Sequence, residues 1–228
     1  MFQSHLFRSQ HGFVTESGFE LPELQLTYHC AGQLNEERNN VIWFFHALTG
    51  NSDPSDWWDT LLKHNPAFNA QTYFLICVNI PGSCYGSIGP LSMHPKLNRP
   101  YYHQFPILTN RDVVKAFQLL KNALGITQIE LGIGGSLGGQ QLIEWAITEP
   151  DLFTSIVPIA TNAQHSPWGI AFNTSQRWAI DNDPTFKSAS DTAGLEGLKL
   201  ARSIALLSYR TPEIYNQSQF DVHEPDQP

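Results

Sequence analysis

Positive charge is scarce in this chain: 13 Lys and Arg stand against 21 Asp and Glu, a formal net charge of −8 over 228 residues. With no basic stretch, no surface is set up to displace phosphate counterions, and nucleic acid is not expected as a partner. The surplus of acid serves solubility and says little about substrate. Cysteine is scarce too. Cys30, Cys77 and Cys84 form no CxxC metal-ligand spacing. An odd count without a leader predicts reduced thiols and a cytoplasmic location. Met1 to Glu16 is polar and mixed, without the apolar centre of a signal peptide. No apolar run reaches the roughly 20 residues of a membrane helix, so no membrane association is expected. Repeats and low-complexity tracts are also missing. Charged residues amount to only 15% while hydrophobic ones reach 41%, which suits a packed core and excludes a disordered chain.

What is present is a series of short apolar runs. Val41 to Phe45 (VIWFF), Tyr73 to Val78 (YFLICV), Ile129 to Ile133 (IELGI) and Ser155 to Ala160 (SIVPIA) read as buried strands. Between the second and third, Arg111 to Leu124 places Val113, Val114, Phe117, Leu120 and Leu124 on one helical face. Gly138 to Thr148 reads as a second helix, ended by Glu149-Pro150. Strand and helix alternate, so a doubly wound, mostly parallel sheet covered on both faces is expected. From His165 the texture changes. Trp168, Phe172, Trp178 and Phe186 stand among polar residues, and Leu195 to Tyr209 reads as an amphipathic helix. The expected organisation is a core over 1–162, a helical lid over 163–216 and a frayed polar tail over 217–228.

Gly134-Gly135-Ser136-Leu137-Gly138 satisfies G-x-S-x-G between a predicted strand and a predicted helix. A serine on such a sharp turn presents its hydroxyl in the open, and the flanking glycines permit close backbone approach. The N–H of Leu137, at the helix start, is placed to stabilise an oxyanion. A second such N–H is expected from the loop after the first core strand, His46-Ala47-Leu48-Thr49-Gly50, with Leu48 as the donor. His46 itself is expected to hold that turn by hydrogen bonds, because a catalytic base comes later in the chain.

These motifs, with others, carry a resemblance. HALTG (46–50), Asp56-Trp57-Trp58, Asn79 to Ser87, GGSLGG (134–139), Glu144-Trp145-Ala146, Trp168 to Asn173, and Ala201-Arg202 to Tyr209-Arg210-Thr211 are similar to segments of the homoserine O-acetyltransferase family. That group of α/β-hydrolase-fold enzymes also includes homoserine and serine succinyltransferases. The likeness extends to about Phe220. It implies a ping-pong transfer, in which Ser136 takes the acetyl group of acetyl-CoA and the hydroxyl of L-homoserine collects it, toward methionine synthesis. No metal or redox cofactor is then expected. Arg202 and Tyr209 match the family's substrate pocket, and their spacing puts them two turns apart on one helical face. An Arg fork suits the homoserine carboxylate. Arg177 and Arg210 remain competitors for that role, whereas Arg111 is expected in a structural ion pair at a helix start. The loop Gly82 to Pro90 lacks the spacing and lysine of a phosphate cradle. By resemblance it borders the active-site entrance. A homodimer through the lid helices is a further expectation.

The departure from the family lies at the far end. In this fold the order is nucleophile, then acid, then histidine. Only His165 and His223 follow Ser136, and neither has the strand–loop setting that positions a base. Family members continue with further strands whose loops carry the Asp and His. The expectation is therefore a chain without the C-terminal strands, impaired alone and prone to association. Other readings of the same residues are a plain serine esterase and a non-catalytic remnant of the fold.

Overall fold

The computed structural model describes residues 2–9 and 11–219, and these divide into two compact units, Met1–Ala163 and Gln164 onward. Along the first unit run β1 (Gln3–Arg8), β2 (Phe13–Val14), β3 (Glu20–Leu21), β4 (Gln25–Ala31), β5 (Val41–Phe45), α1 (Asp59–His64), β6 (Phe74–Val78), β7 (Met93–His94) and β8 (Arg99–Pro100). Then follow α2 (Asn110–Leu124), β9 (Ile129–Gly135), α3 (Leu137–Thr148) and β10 (Phe153–Ile159). Six strands form one sheet in the order β1-β4-β6-β5-β9-β10. The pairs β6–β5, β5–β9 and β9–β10 are parallel, while β1–β4 and β4–β6 are antiparallel. The sheet is mixed but mostly parallel.

Strand β5 is central and buried at every residue. Its alternation divides the core in two. Val41, Trp43 and Phe45 point into one cluster with Phe117, Leu120, Leu142 and Trp145. Ile42 and Phe44 point to the opposite face, against Phe68, Trp58 and Leu61. Trp43 meets Trp145 edge-on with ring centroids 4.9 Å apart. Each such fully buried side chain contributes about 1.5–3 kcal/mol. Helix α2 begins in a capping box, with Thr109 and Asp112 bonding each other's backbone N–H, and ends where Gly125 turns left-handed at φ 69°. Its face of Val113, Val114, Phe117 and Leu120 is buried, as its spacing predicts.

Three differences from the sequence reading have physical reasons. Ser155 to Ala160 is expected as a buried strand, yet β10 forms the sheet edge, leaving Ile156, Val157 and Ile159 40%, 41% and 40% exposed. Met1 to Glu16, read as polar and mixed, supplies β1, and Gln25–Ala31, not singled out as a strand by its sequence, supplies β4. Their mixed pattern reflects an antiparallel pair whose outer strand faces solvent. The helix expected to end at Tyr209 ends at Ser208, with Tyr209 as its C-cap.

The second unit is helical: α4 (Pro167–Asp181), α5 (Leu195–Ser208) and α6 (Pro212–Ser218). Ser166 caps α4 by accepting from Gly169 N–H, with Pro167 at the first turn. Helices α4 and α5 approach so closely that a Cβ on Gly197 would lie 2.5 Å from the Ala179 carbonyl oxygen. Asp183 accepts from Gly197 N–H at 2.8 Å, anchoring the first turn of α5. Helix α6 runs through 217–218, where a polar tail is expected; residues 220–228 of that tail lie outside the described residues.

Candidate active site

Ser136 sits between the last residue of β9 and the first of α3, with φ 51° and ψ −120°. A positive φ is strained for a residue with a Cβ. Three hydrogen bonds hold it there. Its N–H donates to the Ile159 carbonyl at 3.0 Å, and its own carbonyl accepts from Gln140 N–H at 3.2 Å and Thr161 Oγ1 at 2.7 Å. The glycines of the motif explain how the turn fits. A Cβ on Gly134 would lie 2.8 Å from the Gly138 backbone, and one on Gly138 would lie 2.2 Å from the Phe45 carbonyl oxygen. The helix that carries Leu137 thus rests directly on the end of β5.

The loop leaving β5 closes a turn in which Gly50 N–H donates to the Ala47 carbonyl at 2.9 Å. His46 is buried, and both its ring nitrogens are engaged. Nδ1 lies 2.8 Å from the Ala47 carbonyl oxygen, and Nε2 accepts from Ile80 N–H at 3.1 Å. Burial pushes its pKa below the ordinary histidine value. It holds the turn, as expected from its place before the nucleophile, and has no nitrogen left for proton transfer.

Opposite lies the 79–90 loop, organised by Asn79. The Asn79 side chain accepts from Ser52 N–H at 2.7 Å and donates to the Tyr85 carbonyl at 2.6 Å, while Ser87 Oγ donates to the Asn79 carbonyl at 2.6 Å. Gly82 and Gly86 adopt φ of 91° and 97°, and Gly82 N–H closes on the Ile88 carbonyl at 2.7 Å. Sequence reasoning singled out the glycines but missed Asn79, whose only signal was its place in the Asn79 to Ser87 match. Between these loops lies a cleft of about 510 Å³, lined by Leu48 and Leu137 together with Ile80, Ser83, Cys84, Tyr85, Phe105 and Leu108. Both residues expected to offer oxyanion N–H groups therefore border one space, and Leu137 directly follows Ser136 in the chain. Cys84 there is an exposed free thiol; Cys77, in β6 beside β5, is buried, which pushes its thiol pKa far up.

The remaining expected residues fall elsewhere. Arg111, at the start of α2, pairs with Glu16 at 3.3 Å and Glu144 at 3.1 Å, a structural bridge that raises its own pKa; Glu16 is held below the ordinary carboxylate range first by the hydrogen bond it accepts from Thr109 Oγ1 and then by Arg111. In the second unit, Arg202 Nη2 donates to the Tyr209 hydroxyl at 3.1 Å, with its guanidinium 5.8 Å from the ring centroid. Arg177 donates to Thr174 and Arg210 to Ser218. His165 lies two residues before α4, while His223 and Asp221 lie outside the described residues.

Known proteins match both the sequence and this geometry. The chain is 43% identical over 219 residues to a homoserine O-acetyltransferase of Cyclobacterium marinum, covering 96% of this chain and 62% of the relative. It superposes on the crystal structure of a homoserine O-acetyltransferase from Bacillus anthracis with a TM-score of 0.87 at 25% identity, covering 96% of this chain and 63% of that one. The L374D mutant of esterase E22 follows with a TM-score of 0.85 at 25% identity, covering 96% and 64%. This chain thus spans about three fifths of the length of the relatives it matches. A family profile described as the alpha/beta hydrolase fold matches residues 40–189. With its serine elbow between β9 and α3, the chain belongs to the α/β-hydrolase fold family.

Proposed function

We propose that this chain is the nucleophile-bearing part of an acyltransferase that moves an acetyl group from acetyl-CoA to the hydroxyl of L-homoserine through an acyl-Ser136 intermediate. The observation that carries the reading is the single cleft bordered by Leu48 and by Leu137, the residue that directly follows the strained serine. In the first half-reaction Ser136 Oγ attacks the thioester carbonyl, the C–S bond breaks, and CoA leaves as the protonated thiol. In the second, the homoserine hydroxyl attacks the acyl ester, O-acetylhomoserine leaves, and the serine regains its proton. The Leu48 and Leu137 N–H groups stabilise the oxyanion in both; one such donor is typically worth about 3–4 kcal/mol. Arg202, steered by Tyr209, receives the homoserine carboxylate. The reaction runs without a metal or redox cofactor, in a cytoplasmic route to methionine.

The serine needs a base, and His46 is committed to the backbone at both nitrogens. We therefore expect the chain alone to be impaired. The exposed Trp168 and Trp178 of α4 and Leu206 and Leu207 of α5 support a homodimer through the lid helices, which sedimentation at several concentrations would test. The likeness to an esterase favours a second reading, hydrolysis at the same serine. Incubation with radiolabelled acetyl-CoA, with Ser136→Ala as control, separates these. Label on Ser136 that passes to added homoserine supports transfer. Label released only as acetate supports the esterase. A folded chain that takes no label refutes both for the chain in isolation.

A further inference from the structure

We propose that His46 is the positioning residue of the oxyanion arm: its neutral ring clamps the Ala47–Leu48 peptide so that the Leu48 N–H faces the cleft. The catalytic meaning of this inference rests on the proposed acyl transfer at Ser136; its geometry rests on hydrogen bonds inside the first unit. Because Nε2 accepts from Ile80 N–H at 3.1 Å, it carries no proton. The ring proton is then on Nδ1, which donates to the Ala47 carbonyl at 2.8 Å. The same oxygen accepts from Gly50 N–H at 2.9 Å. Two donors occupy both lone pairs of that oxygen and prevent the carbonyl from swinging. A peptide unit is planar and trans, so fixing the Ala47 C=O also fixes the Leu48 N–H, aimed the opposite way. His46 and Leu48 line the same cleft. The second ring bond ties the arm to Ile80 on the facing wall, so one side chain sets both the aim of the donor and the width of the gap. Burial of the ring, which favours its neutral form, agrees with this tautomer.

Two substitutions separate the two bonds. Asn at this position offers an amide N–H near the place of Nδ1, which keeps the Ala47 clamp and gives up Ile80. Gln reaches toward the place of Nε2, keeping the bond from Ile80 and releasing Ala47. The full chain carrying His46→Asn or His46→Gln is read in two ways. The first is the Leu48 amide, followed by its nitrogen-resolved NMR position and its hydrogen exchange. The second is the acylation burst with p-nitrophenyl acetate, corrected with Ser136→Ala. Both variants lose one buried hydrogen bond and unfold at similar denaturant concentrations. H46N keeps the Leu48 amide in place and acylates within about threefold of the parent; H46Q shifts that amide and slows acylation about 100-fold with KM unchanged. An unmoved Leu48 amide in H46Q overturns the proposal, as does an equal loss of rate in both variants that follows their folded fraction. If the parent shows no Ser136-dependent burst, the acyl-transfer reading fails, and the Leu48 amide comparison still decides whether His46 positions that peptide.

Discussion

Replacing Gly138 with alanine measures how tightly the elbow helix is seated on β5. The new Cβ would lie 2.2 Å from the Phe45 carbonyl oxygen, 2.6 Å from its carbon and 2.7 Å from the His46 carbonyl oxygen. All three obstacles are backbone atoms, so no rotamer change removes them, and the start of α3 must lift by roughly 1 Å to restore ordinary contact. Overpacking costs about 1–3 kcal/mol, and a backbone obstacle places this site near the upper end. Alanine's better helix propensity returns roughly 1 kcal/mol, leaving a net loss of about 2 kcal/mol. Gly135, in the same motif, is the control. Its added Cβ would meet only the Ile159 carbonyl oxygen at 4.0 Å, so Gly135→Ala stays within about 0.5 kcal/mol of the parent. Urea unfolding followed by tryptophan fluorescence reads the difference, since Trp43 and Trp145 are fully buried against one another. With a slope of roughly 2–3 kcal/mol per molar urea, the Gly138→Ala midpoint falls by about 0.7–1 M. Equal midpoints for the two variants would refute the close seating of α3 on β5.

Ser136→Gly should melt about 2–4 °C above Ser136→Ala, because glycine relieves roughly 1 kcal/mol of strain at φ 51°; equal melting temperatures would mean that the turn is unstrained. Stability should fall with acid through His46. Its folded-state pKa lies below the ordinary 6.5, so the unfolded chain binds the proton more readily, and the contribution present above pH 6.5 is lost as pH drops through the folded value. Urea midpoints at pH 7.5 and 5.5 should therefore differ more in the parent than in His46→Asn. Arg202→Ala should raise the KM for homoserine by about 10–150-fold, the worth of a charge-assisted hydrogen bond, and leave acylation of Ser136 unchanged. A slower acylation step would assign Arg202 to the donor instead.

The parts of the fold most legible in the sequence are those whose surroundings are uniform. Strands β5 and β6 are buried on both faces, so they read as unbroken apolar runs, and α2 carries its apolar stripe between a capping box and a left-handed glycine. Strand β4 was harder. Leu26, Tyr28 and Cys30 do alternate toward the core, but Thr27 and His29 between them dilute the signal, and the pairing with β1 depends on residues far from either run's own pattern. β10 shows the limit of reading burial from hydrophobicity: its residues are apolar, but whether they are covered depends on what stands beside them. At the site, Ser136 and the two loops follow from glycine placement and element order. The doubly bonded His46 ring and the bracing by Asn79 do not, because each joins segments that meet only after the sheet has formed.

The strand order also sets a sequence of assembly. Reading from β6 through β5 to β9 and β10, each parallel strand that follows β6 in the chain is laid down on the same side of the sheet. A chain emerging from the ribosome can therefore dock β9 against the completed β6–β5 pair, seat the α3 turn on β5, and only then add β10, with no earlier strand displaced. The nucleophile turn would be set by the last step, since Ser136 N–H finds its acceptor on Ile159, within β10 itself. Until residues 153–161 have been synthesised and docked, the serine would lack two of the three bonds that hold its backbone, from Ile159 and Thr161, so the reactive conformation waits for β10 and the residues just after it.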